Sequence, residues 1–239
     1  MSKYLFLINF FFTFYVYGTT IKYKDLTVVN GIYYIGNDKT LFTGEIIGNV
    51  KGKFVNGKKV GTFFKYYENG QLLSKITFNN NMVDGEWVEF YRNGNLLCKK
   101  NYIDNKLNGE YVDYYSFGQV LSIKKYKDNK LEGKYLKYYK NGQLELKKSY
   151  KDNILNGEHI TFHEYEINKV IQIKSKKNYK NGKLHGKYIE YNENGKLKSD
   201  GQYIEGKLEG LYFSYDRQGN KVDKKTYVNG NLVRIKKFQ

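Results

Sequence analysis

The sequence predicts an all-β fold, an elongated single antiparallel sheet of tandem β-hairpins, and three observations carry that reading. First, a glycine-led unit recurs at a fixed spacing: Gly61, Gly85, Gly109, Gly133 and Gly157 lie 24 residues apart, Gly186 follows after 29 and Gly210 after 24. A period in this range is the mark of a repeat architecture. Second, short aromatic runs such as EWVEFY and KYLKYY end at Asn-Gly or a close variant, a strong short-range hairpin signal. Third, glycine occurs at least twice in each unit and interrupts any apolar stripe long enough to make an amphipathic helix.

Each unit reads Gly, polar, aromatic, apolar, polar, aromatic, then Asn-Gly and Leu. An aromatic closes it (Phe78, Tyr102, Tyr126, Tyr150, Tyr179, Tyr203, Tyr227), and a Leu follows five residues later in all but the first unit, which has Val83. The pattern predicts strands near residues 85–91 and 96–102, repeated along the chain. With no Pro present, Gly, Asn and Asp carry the turns, because they tolerate positive φ. Reading Glu68-Asn69-Gly70 as a three-residue loop with left-handed Gly puts Phe64, Tyr66 and Leu72 on one face. Val88, Phe90 and Leu96, and their equivalents in later units, then share that face. Trp87, Tyr91, Tyr111, Tyr115, Tyr135 and Tyr139 occupy the other, with charges between them.

The segments YYKNGQL, NYKNGKLHG and EYNENGKL resemble the MORN repeat variant, as in the bacterial YwqK-type antitoxin-like repeat family. The resemblance covers roughly residues 27–239 and departs at Ser116-Phe117-Gly118, where Asn is lost. It implies a hairpin ribbon and no shared catalytic residue, so function has to be argued from sites. The expected organisation is a signal peptide over residues 1–18, degenerate repeats over 19–60 and seven repeat units over 61–239.

A repeat ribbon is one quasi-linear domain and buries no thick core. The 26 Tyr and 15 Phe must supply much of its stability, each covering backbone while the Tyr keeps a polar tip in water. The net charge is +17, from 41 Lys and Arg against 24 Asp and Glu. The lysines are spread along every unit, as solvated strand faces that discourage edge pairing would require, and give no specific nucleic-acid signal. The apolar run YLFLINFFFTFYVY at 4–17 is too short to span a membrane as a helix. After Lys3 it fits the core of an export signal, with a retained anchor as the alternative.

Catalytic and metal chemistry finds little support. Cys98 is the only cysteine and aligns with Ser74, Ser122, Leu146 and Ser175, a small packing slot. His159 and His163 replace strand aromatics and, four apart on a strand, sit about 13 Å from each other, too far to share a metal. Glu86, Glu110 and Glu158 recur beside the leading Gly, and equivalent residues one repeat apart sit roughly 10 Å from each other, a poor spacing for paired catalytic carboxylates. Gly201–Lys207 nearly spells a phosphate loop but lacks the Ser or Thr after Lys. No enzyme activity, cofactor or metal is expected.

The expected function is a non-catalytic protein-binding or scaffold module acting outside the cytoplasm. The alternatives are an antitoxin or immunity-like protein, or a binder of anionic membrane lipid or cell-surface glycan. The candidate binding residues are Trp87, Tyr111 and Tyr135, which share one slot in three successive units. Tyr165 joins them from the five surplus residues of the fifth unit, placed within Glu164–Gln172.

Overall fold

The computed structural model describes residues 19–36, 39–164 and 172–238. It is an all-β chain dominated by one long open sheet, and each hairpin pairs with the next in sequence order from Gly44–Ile47 to Asn231–Lys237. The only helical element among the described residues is a 3₁₀ turn at Tyr23–Asp25.

Two turn types alternate along the ribbon, each set by its residues. At one edge a three-residue loop closes Tyr67 against Gln71: the Tyr67 amide donates to the Gln71 carbonyl at 2.8 Å and Gly70 stands at φ 83. This is the loop expected for Glu68-Asn69-Gly70. It recurs at Tyr91–Asn95, Tyr115–Gln119, Tyr139–Gln143, Asn192–Lys196 and Asp216–Asn220. Ser116-Phe117-Gly118 forms it without the Asn, with Phe117 stacked on Tyr115 at 5.3 Å. At the other edge a two-residue turn puts both central residues at positive φ, as at Asp104 (47) and Asn105 (64). That is the type I′ geometry whose twist matches the flanking strands.

Tyr66 pairs with Leu72 and Phe64 with Lys75, so the apolar positions share one face as the loop length requires. The strands run longer than the sequence pattern suggests, Met82–Phe90 and Leu96–Ile103 instead of 85–91 and 96–102. The leading glycine lies inside the strand, at a bulge. Lys100 pairs with Tyr111 and Tyr102 with Leu107, which leaves Asn108 to Glu110 facing Asn101. Gly109, at φ 95, supplies the backbone shape that such a bulge needs.

The N-terminal end differs from the ribbon. Thr19–Lys22 pairs in parallel with Gly44–Ile47, and Thr27–Val29, Ile32–Ile35 and Thr40–Leu41 form a separate three-stranded sheet. Together they enclose Tyr33, Phe42, Ile46, Phe54 and Phe63, the largest buried cluster among the described residues. Their rings run continuously: Tyr33 to Phe54 at 4.7 Å, Phe42 to Phe54 at 5.5 Å, Phe54 to Phe63 at 5.2 Å and Phe63 to Phe78 at 5.2 Å. The ribbon is thin as expected, but this end is closed by a core that the repeat pattern does not announce.

Successive units are latched at both edges. The amide of Asn105 donates to the carbonyl of Val83 at 2.8 Å, and the Val83 amide returns a bond to Asn105 Oδ1 at 2.6 Å. Asn81, Asn129 and Asn153 repeat the exchange with Lys59, Leu107 and Leu131. Where Gly182, Gly206 and Gly230 take the slot, the backbone bond remains. At the opposite edge the hydroxyl of each loop tyrosine donates to a carbonyl of the next unit: Tyr67 to Phe90, Tyr91 to Tyr114, Tyr115 to Tyr138 and Tyr139 to Phe162, at 2.8 to 3.0 Å. Tyr91, Tyr115 and Tyr139 thus tie each unit to the next through the hydroxyl while the ring belongs to the aromatic side. Each satisfies a strand-end carbonyl that the next unit would otherwise shield from water.

Candidate binding face

The candidate residues come from the first strand of successive units: Trp87 from Met82–Phe90, Tyr111 from Lys106–Tyr114 and Tyr135 from Lys130–Tyr138. The intervening strands contribute lysines at the same level. The register runs Trp87, Lys100, Tyr111, Lys124, Tyr135, Lys148, His159, Lys177, each paired with the next. Directly paired residues project to the same side, so this is one cross-strand row of alternating ring and ammonium. Trp87, Tyr111 and Tyr135 fall two strand spacings apart, about 10 Å.

Every ring in the row is engaged. Trp87 packs on Tyr102 at 5.6 Å, Tyr111 on Tyr126 at 6.2 Å, Tyr135 on Tyr150 at 6.4 Å and His159 on Tyr179 at 5.9 Å. Lys100 Nζ lies 4.4 Å from the Trp87 ring centre and 5.4 Å from that of Tyr111. Lys124 Nζ sits 4.7 Å from Tyr111 and 5.8 Å from Tyr135. These are cation–π distances, strengthened by partial desolvation.

Carboxylates balance the ammonium groups. Lys124 and the Ser122 hydroxyl both donate to Asp113 Oδ2 at 2.8 Å. Glu89 accepts from Trp87 Nε1 at 3.0 Å and from the Cys98 thiol at 3.1 Å, with Lys100 Nζ 3.8 Å away. Burial pushes the Tyr111 phenol well above its usual range, with the nearby Asp113 charge adding to it. Burial opposes the charge on Lys124, yet the bond to Asp113 keeps its pKa above the ordinary value. Burial, helped by Glu89, pushes the Cys98 thiol up to about 12. At neutral pH the Tyr111 phenol and the Cys98 thiol therefore keep their protons, and Lys124 keeps its charge against Asp113.

Cys98 and its counterparts Ser74, Ser122, Ser175 and Ser199 are all buried, so the slot selects small side chains. His159 fills a ring position. Burial, and then the charges of Lys148 and Lys177, lower its pKa to about 4. His163 occupies the loop-tyrosine slot, its Nε2 3.4 Å from the Tyr191 carbonyl. Glu86 is held by Lys99 at 2.7 Å and Lys75 at 3.4 Å, and Glu158 by Lys147 at 2.8 Å, all on the opposite face. Glu205-Gly206, within the near-match to a phosphate loop, is an ordinary type I′ turn latched to Leu184. Among the described residues no three His, Cys, Asp or Glu side chains gather in a group suited to a metal ion.

Trp87, Tyr111 and Tyr135 are thus brought together in one row, while Tyr165 lies outside the described residues. Sequence reasoning passed over Lys100, Lys124 and Asp113, which share the row's packing and charge. Their signal was the repeated Lys-Lys of the second strands, legible only once the register is known.

With two latches per unit and a ring-and-ammonium row every strand pair, the repeat has a defined structural unit. The MORN repeat variant matches it at residues 59–80, 83–104, 107–128, 131–152 and 184–205. Five tandem units of the chain are thus MORN repeats. No curated protein matches it. Each matched MORN repeat spans the strand, three-residue loop and strand described above and ends at the first residue of the type I′ turn. The unit left out between residues 153 and 183 is the one with surplus length.

Proposed function

We propose that this MORN repeat protein is a non-catalytic binding scaffold, acting outside the cytoplasm and engaging a protein partner along its sheet. The observation that supports this reading most is the continuous ladder from Trp87 to Lys177, which offers the same ring-and-ammonium motif about every 10 Å on a rigid face. Extended repeat surfaces of this kind suit long partners. Aromatic side chains fixed in place bind at low entropic cost. Export rests on the apolar run 4–17 after Lys3, which lies outside the described residues.

One feature favours a second reading, binding to an anionic lipid or glycan surface. Residues 172–238 carry 16 Lys and Arg against 7 Asp and Glu, a denser positive charge than the rest of the chain. A single experiment separates the two. The full chain is immobilised and exposed in parallel to native envelope proteins, to phosphatidylglycerol vesicles and to purified cell-wall glycan. Tyr126 and Tyr150 are then footprinted in each complex. The scaffold reading expects retention of a defined protein with protection of these tyrosines at moderate salt. Retention of vesicles or glycan alone, lost as salt rises, overturns it in favour of the anionic surface.

A further inference from the structure

The C-terminal strand Asn231–Lys237 is exposed along its whole length and pairs with Lys221–Val228 on one side; among the described residues nothing pairs with its outer edge. The interior of the ribbon shows what such an edge accepts. Lys59, Val83, Leu107, Leu131, Leu155, Leu184 and Leu208 each receive, on the carbonyl, the amide of the next unit's turn. Leu232 is the next residue in that series, since it pairs with Tyr227 as Leu208 does with Tyr203. Its interior counterparts are half-buried, whereas Leu232 is 51% exposed, with Val233 at 58% and Ile235 at 48%.

The edge also has its charges reversed. Asp113, opposite Cys98 in an interior strand, accepts Lys124 from its outer neighbour. The equivalent position opposite Asp223 holds Lys237, and Arg234 and Lys236 lie beside it. Leu232 pairs with Tyr227 and Arg234 with Thr226, so Val233 is bulged; Arg234 and Lys236 then face one side, while Leu232, Ile235 and Lys237 face the other. Edge lysines guard against pairing with another copy, because antiparallel self-pairing would set Arg234, Lys236 and Lys237 against themselves. They do not guard against a strand of opposite charge.

We propose that Asn231–Lys237 is a strand-addition site for an extended acidic segment of a partner protein. The segment alternates acidic residues, facing Arg234 and Lys236, with apolar residues facing Leu232 and Ile235. Backbone bonds to Leu232 supply affinity, and the two side-chain rows supply register and selectivity. The proposal is independent of the sheet-face reading above.

The test uses the full chain and three fluorescent ten-residue peptides: alternating Glu and Val, alternating Lys and Val, and poly-aspartate. Anisotropy measures binding, and amide hydrogen exchange locates it. The Glu/Val peptide is expected to bind at least tenfold more tightly than either other peptide and to slow exchange at Leu232. Arg234→Glu/Lys236→Glu/Lys237→Glu is expected to reverse the preference toward the Lys/Val peptide. Leu232→Pro, which removes the outward amide, is expected to weaken Glu/Val binding at least tenfold while the interior latch at Leu208 stays protected. Equal binding of poly-aspartate, Glu/Val binding that the charge reversal leaves unchanged, protection on the sheet faces instead of this edge, or self-association through the strand would each overturn the proposal.

Discussion

Replacing Asn105 tests whether the type I′ turns hold neighbouring units together. Asn105 sits at φ 64, its amide bonded to the Val83 carbonyl and its Oδ1 to the Val83 amide. Asn105→Gly keeps the turn geometry and the first bond but loses the second. The net loss of one hydrogen bond is about 1 kcal/mol, since solvent can partly satisfy the half-buried Val83 amide. Asn105→Ala loses the same bond and also forces a Cβ-bearing residue without a polar side chain into the left-handed region, for about 1 kcal/mol more. The expected order of stability is wild type, then Gly, then Ala, with steps of about 1 kcal/mol. Urea titration gives the magnitudes, and amide exchange at Val83 gives the location, which matters because repeat arrays need not melt as one unit. The reverse change is available at Gly206, at φ 84, where an added Cβ meets open space. Gly206→Asn is expected to stabilise by a few tenths to about 1 kcal/mol through a new bond to the Leu184 amide. An alanine at 105 no worse than glycine, or an unchanged Val83 exchange rate, would refute the latch.

Tyr115→Phe removes the donor to the Tyr138 carbonyl and is expected to cost about 1 kcal/mol by urea titration, with faster amide exchange confined to the adjoining loops. Gly52→Ala puts a Cβ 2.5 Å from the Phe63 ring in the N-terminal core and is expected to cost about 1 to 3 kcal/mol in thermal unfolding. His159 binds its proton more weakly in the fold, near pH 4, than at its ordinary 6.5, so its contribution is intact above pH 6.5 and is lost as pH falls toward 4. Solvent screening holds that loss to roughly 1 kcal/mol. His159→Tyr, which restores the unit's usual ring, is expected to flatten the stability profile between pH 4 and 6.5, as pH-jump denaturant titrations would show.

The repeat, both strands of each unit, the three-residue loop and the division of apolar residues between faces were all legible in the sequence, because each follows from local spacing. Trp87, Tyr111 and Tyr135 were legible as a row for the same reason. Their pairing with Lys100 and Lys124 was not, since it depends on how one hairpin registers against the next. The bulge at Gly109 sets that register and cannot be read from alternation. The Tyr115 latch was hidden because its acceptor, the Tyr138 carbonyl, belongs to the next unit and comes within reach only through the register between hairpins. The N-terminal core escaped for a different reason: Tyr33, Phe42 and Phe54 follow no repeat, and their convergence depends on a separate small sheet and a parallel strand.

The latches make the ribbon behave like a ratchet that counts in whole teeth. Asn105, Asn129 and Asn153 each engage a residue 22 positions earlier, so removing 24 residues would return an equivalent tooth to an equivalent notch. Removing 23 within a strand would turn every later ring to the wrong side. The fifth unit shows where the count may vary. Phe162 pairs with Ile173 as Phe90 pairs with Leu96, so the surplus lies between the two strands, at the tyrosine-loop edge. The opposite edge stays in step, with Gly182 still seated on Leu155. Length can therefore change freely at one margin of this molecule, whereas at the other it is quantised.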